Sequence, residues 1–238
     1  MRTKLEVCID SLESAKNAII GGADELEVCS SLREGGLTPS PGLVKEIFKL
    51  KPVINVMIRC RGGSDFCYNE DEMATMLSDI EFYKNMGVNR FVFGALTNTR
   101  QIDRINCARV LEKAHPIPVT FHRAFDICTN PKDGIIKIID LGFDRLLTSG
   151  LKTSAAHDNA LEFLKTLKKE HGNDIVIMPG AGITPQNVHH FVSAGFQIIH
   201  SSCKKVKTIF HGDDLPMGSN EIYLTDKNIV EEMMALLD

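Results

Sequence analysis

Short apolar runs with period-2 alternation, separated by amphipathic stretches and by charged, glycine-bearing loops, recur along the chain at a nearly constant interval. The tetrapeptide LEVC occurs twice, at 5–8 and at 26–29, so that Glu6 with Cys8, and Glu27 with Cys29, fall on equivalent faces of what should be neighbouring parallel strands. An acid on an inward strand position is costly unless paired, so these positions point to chemistry rather than packing. The second strand runs into Arg33, Glu34, Gly35, Gly36 and Thr38, before Ser40 and Pro41 supply the N-cap and first-turn proline of a helix over 41–50.

The same unit is expected again and again. Asp10 and Glu13 read as N-cap and N3 of a capping box opening a helix that stops at Gly21-Gly22, and Asn69 with Glu72 as a second box opening a long helix that ends at Gly87. Strands are expected at 52–58, 90–94, 117–121, 145–147, 175–178 and 197–200, with further helices over 103–115, 130–142, 154–170 and 184–194. About eight strand–helix units with a repeat near 30 residues predict a single-domain α/β fold over 1–238, a (β/α)8 TIM-like barrel. A doubly wound sheet is the alternative. The rhythm breaks at about 203–224, which reads as a long loop, either a mobile flap or an oligomer contact, and 226–237 as a terminal helix covering the barrel's side.

Composition narrows the function classes. A net charge of −4 with scattered Lys and Arg gives no footprint for nucleic acid. No run approaches the roughly 20 apolar residues that span a bilayer, and the N-terminus leads straight into a strand without a signal-peptide core, so a cytoplasmic protein without a membrane partner is expected. Seven cysteines, an odd number with no close C-x-x-C pair, argue for reduced thiols rather than a disulfide framework or a zinc knuckle.

Barrel sites lie at the C-terminal ends of the strands. Here those ends carry Glu6, Cys8, Glu27, Cys29, Arg59, His122, Arg123, Thr148, Ser149, Gly180, Gly182, His200 and Ser201. One such residue is ordinarily core filling, whereas acids, arginines and histidines converging on one mouth suit acid–base chemistry. Arg59 and Arg123 could clamp a carboxylate or phosphate, Glu27 or Glu6 serve as base, and His122 as acid or electrophile. Gly180 and Gly182, followed by a helix start at Thr184-Pro185 and by His200 and Ser201, have the pattern of a phosphate cradle. This predicts a metal-independent enzyme acting on a small phosphorylated or carboxylated metabolite.

A second expectation comes from a resemblance. LEVC at 5–8, LEVCSSLREGGLTPS at 26–40, MIR with RGG at 57–63, FGALT at 93–97, VTFHRAFD at 119–126, LLTSG at 146–150, MPGAGI at 178–183 and IHSS at 199–202 together resemble the CutC family. The resemblance implies a TIM-like barrel, a cytoplasmic homo-oligomer (dimer or tetramer), and a role in copper homeostasis through Cu(I), with Cys8 and Cys29 at the positions of the family's proposed ligands. Cys60 departs from the family's usual proline, and nothing carries over beyond Ser202. Soft thiolates suit Cu(I), and Met57 is a further soft inward candidate, but copper does not account for the acids and arginines. Copper binding and enzyme chemistry both stay open.

Overall fold

Apolar runs of three to six residues become strands because each is buried on both faces, and the computed structural model, which describes residues 2–208 and 220–237, closes them into a barrel. The strands are β1 (Lys4–Ile9), β2 (Glu25–Val28), β3 (Ile54–Met57), β4 (Arg90–Phe93), β5 (Val119–Phe121), β6 (Arg145–Thr148), β7 (Val176–Pro179) and β8 (Ile198–Ser201). Each pairs in parallel with its sequence neighbour from β1 to β7, β1 also pairs with β8, and a parallel bridge between Gly180 and His200 joins β7 to β8. A doubly wound sheet, whose strand order reverses, is thereby excluded.

The helices are α1 (Leu12–Ile20), α2 (Pro41–Phe48), α3 (Glu70–Met86), α4 (Arg104–Ala114), α5 (Pro131–Leu141), α6 (Asp158–His171), α7 (Val188–Ser193) and α8 (Lys227–Leu237). Their ends follow local chemistry. Ser40 accepts from the Leu43 N–H with Pro41 in the first turn, Asn69 and Glu72 exchange both capping-box bonds, and Gly87, at φ +86°, closes α3 in the left-handed conformation. The expected box at Asp10 and Glu13 is not formed. Ser11 caps α1 through the Ser14 N–H, and Asp10 instead accepts from the Leu32 N–H, tying the loop after β1 to the loop after β2.

Three other expectations change. The helix over 154–170 begins only at Asp158, and α7 begins at Val188 rather than Thr184. The segment 203–224 is not a loop throughout. Its described parts form an antiparallel ribbon of β9 (Lys204–Thr208) and β10 (Glu221–Thr225), while the flap expected around His211 lies outside the described residues. The ribbon is anchored on α1, where Asn17 Nδ2 donates to the Thr225 carbonyl at 2.8 Å and the Thr225 N–H donates to Ser14 Oγ at 3.1 Å.

Alternation along the strands divides the interior in two. Leu5, Val7, Leu26, Val28, Ile54, Val56, Phe91, Phe93, Phe121 and Ile199 belong to one apolar layer with the buried faces of the helices. The intervening positions fill the barrel, where Cys29, Met57 and Val92 form one small apolar cluster and Leu147, Met178 and Ile198 another. Between them the barrel carries charge. Arg145 Nη1 lies 2.9 Å from Glu25 Oε2 and 3.5 Å from Glu6 Oε2, and Asn55 Nδ2 donates to both carboxylates. Neighbouring groups thus compensate three charges that burial alone would make costly.

Candidate functional site

Above this charged belt, at the C-terminal mouth, a cavity of about 520 Å³ opens, with Cys8, Glu27, Arg59, His122, Arg123 and His200 among the residues of its wall. Register places the first group. Cys8 on β1 stands opposite Glu27 on β2, and Glu6 on β1 opposite His200 on β8, so the two LEVC strands and the last strand meet at one point. One ligand atom each from Cys8, Glu27 and His200 lie within 4.8 Å of one another, all three residues being buried.

His200 is held from below. Its Nδ1 is 2.8 Å from Glu6 Oε1, and its Nε2 is 3.7 Å from Glu27 Oε2. Burial pulls the imidazole pKa down, but the Cys8 sulfur and the carboxylates of Glu27 and Glu6 more than reverse this and carry it well above the usual value. For Glu6, burial pushes up and the His200 and Arg145 partners prevail, leaving its carboxyl below the usual range. Burial dominates at Glu27, only partly offset by His200, and pushes the carboxyl up to about 7.

Glu6 therefore sits behind His200, engaged by His200, Arg145 and Asn55, and orients the imidazole rather than facing the cavity. Cys29 is placed apart from the three-residue group. Its thiol contacts Glu27 Oε2 at 3.6 Å and packs with Met57 and Val92, and burial with the nearby Glu27 charge pushes its pKa well up. The geometry groups Cys8 with Glu27 and His200 and sets the Cys29 thiol beside Glu27.

The opposite wall belongs to the arginines and His122. Arg59 is buried and gives its terminal N–H groups to the carbonyls of Glu34, Gly36 and Gly63, pinning the loop after β2 to the loop after β3. Arg123 is half exposed, donates to Asp126 at 2.9 Å and to Ser149 Oγ at 3.0 Å, and keeps its place on the lip. His122 Nδ1 accepts from the Ala124 N–H at 3.2 Å, which leaves the ring proton on Nε2. Burial, then the Arg59 charge, lower its pKa to about 3, which favours the neutral ring.

The glycine loop after β7 lines the cavity from Ala181 to Gln186, and its first glycine also has a packing role. A Cβ on Gly180 would come within 2.6 Å of Leu147 Cδ1 and 3.2 Å of His200 Cβ, so this glycine makes room for His200. Gly182 borders the cavity, and Ser201 Oγ donates to the Ile183 carbonyl at 2.8 Å. α7 starts only at Val188, and the Thr184 N–H is turned to Asn187 Oδ1.

Four contributors escaped the sequence reading. Arg145, Glu25 and Asn55 support Glu6 from the belt, and Asp126 gathers the Thr148 and Ser149 hydroxyls, the Ser149 and Leu151 N–H groups and Arg123. For Arg145 the signal was present, since an arginine at the inward phase of a strand demands an acid partner just as Glu6 demands a base.

The CutC family model matches residues 3–205. A copper homeostasis protein cutC homolog from Caenorhabditis elegans is 47% identical over 191 residues, 79% of this chain and 75% of its own. The human homolog of that name is 40% identical over 221 residues, 91% of this chain and 80% of its own. A crystal structure of CutC from Streptococcus agalactiae superposes with a TM-score of 0.79 at 30% identity, covering 85% of this chain and 99% of the other.

Proposed function

Because the chain belongs to the CutC family, we propose that it is a cytoplasmic copper homeostasis protein that binds Cu(I) as its cargo at the mouth of the barrel. One observation carries this reading: a thiol and an imidazole, the soft and borderline donors that suit Cu(I), converge with a carboxylate in the wall of a cavity. Cys8 and His200 would hold the ion, Glu27 would balance charge, and Cys29, beside Glu27, is the adjacent soft donor. Glu6 fixes the His200 ring through the nitrogen that does not face Glu27, as second partners of ligating histidines do. Seven free cysteines accord with a reducing compartment, and no helix among the described residues is long and apolar enough to cross a membrane. Exposed Phe82, Ile105 and Ile136, on successive helices, offer apolar surface for the homo-oligomer.

The test is competitive Cu(I) titration of the reduced protein under anaerobic conditions. Wild-type protein should bind one equivalent, Cys8→Ser and His200→Ala should each lose it, and Cys29→Ser should retain it with weaker affinity. Undiminished stoichiometry in Cys8→Ser would remove the proposed site.

A further inference from the structure

Copper uses one side of the cavity and leaves the other unexplained. On the far wall Arg59 Nε and His122 Nε2 are buried donors, each without a hydrogen-bond partner among the described residues, and both side chains border the same cavity. Each residue is only 4% exposed, so neither donor is satisfied by bulk solvent, and leaving such groups unpaired is costly. Phe66 joins them, with its ring 4.9 Å from the His122 ring and 5.1 Å from the Arg59 guanidinium carbon. It does so at φ +51°, a conformation that bulky residues avoid. Arg123, ion-paired with Asp126, stands at the lip. Glu27 Oε1 is also buried without a partner among the described residues.

We propose that this cavity is a binding site for a small hydroxylated organic anion, a hydroxy acid or a sugar phosphate. Its charged oxygens take the N–H of Arg59 and face Arg123, a further oxygen accepts from His122 Nε2, and a hydroxyl meets Glu27 Oε1. Anionic character follows from the Arg59 charge and the two unpaired donors, and the hydroxyl from the unpaired Glu27 Oε1. The volume, about 520 Å³, is that of a small-molecule pocket and is far more than one metal ion fills. Because His122 donates as a neutral ring, binding needs no protonation event at that residue. The proposal shares Glu27 with the copper reading but rests on Arg59 and His122, neither of which belongs to the Cys8–Glu27–His200 group.

Isothermal titration with glycerol 3-phosphate and with glycerate tests it, with inorganic phosphate as the reference for an adventitious ion only. At least one of the two hydroxylated probes should bind more tightly than inorganic phosphate. His122→Phe should weaken that binding by about tenfold or more, the loss expected for one hydrogen bond to a charged group, while its Cu(I) stoichiometry stays that of wild type. In the unmutated protein, the 15N resonance of His122 Nε2 should shift on addition of the same probe, which separates binding at this residue from any folding defect of the variant. Absence of binding by both probes, binding equal to inorganic phosphate, or an unmoved His122 resonance at saturation would each overturn the proposal. Failure of copper binding alone would leave these readouts unchanged.

Discussion

Arg145 and its two glutamates show how single side chains carry the site without touching the cavity. Burial pushes Glu25 up, but the Arg145 hydrogen bond and charge, with Asn55 and Lys4, prevail and bring its pKa down to about 2. A folded-state value below the unfolded one means that Glu25 contributes stability in full above about pH 4.5, and that this contribution is lost as the pH falls towards 2. Glu25→Gln should therefore lower the urea midpoint at pH 6, and its gap from wild type should close between about pH 4.5 and 2. A gap constant across that interval would show that the ion pair contributes nothing. At this scale the sequence was informative where period-2 alternation put an acid or a thiol inward, as at Glu6, Cys8, Glu27 and Cys29. It was silent on partnership, because Arg145 and Glu25 are far apart in the chain and only barrel closure brings them together.

Among elements, the site depends on where β1, β2 and β8 end and on what lets them approach. Gly180 is the tightest point, as any side chain there presses on Leu147 and His200. Gly180→Ala should cost about 1–3 kcal/mol of stability by overpacking and, by displacing the His200 ring, weaken Cu(I) binding more than it weakens binding of the anionic probes. Equal loss of both, or of neither, would separate His200 placement from the copper site. Strand and helix order was legible because caps and apolar phase agree at Ser40, Asn69 and Asn130. It failed where one polar residue had two possible partners: Asp10 serves Leu32 rather than its own helix, and Thr184-Pro185 precedes a turn rather than α7.

For the whole molecule, closure of eight strands makes a single mouth that gathers residues from position 8 to position 232. The ribbon after β8 borders it, with Arg33 Nη2 donating to the Glu221 carbonyl at 2.7 Å and Lys204 Nζ 3.6 Å from the centre of the Tyr223 ring. The barrel was legible from the repeat, whereas the ribbon was not, since its lysine-rich strand has no buried face to impose a pattern. In the proposed reading the mouth offers one donor set to a soft cation and another to an anion, with Glu27 common to both. X-ray absorption at the copper edge of the one-to-one Cu(I) complex tests the central claim most directly. The account predicts mixed sulfur and imidazole nitrogen scattering, with the nitrogen contribution lost in His200→Ala; scattering from sulfur alone, unchanged by that substitution, would contradict it.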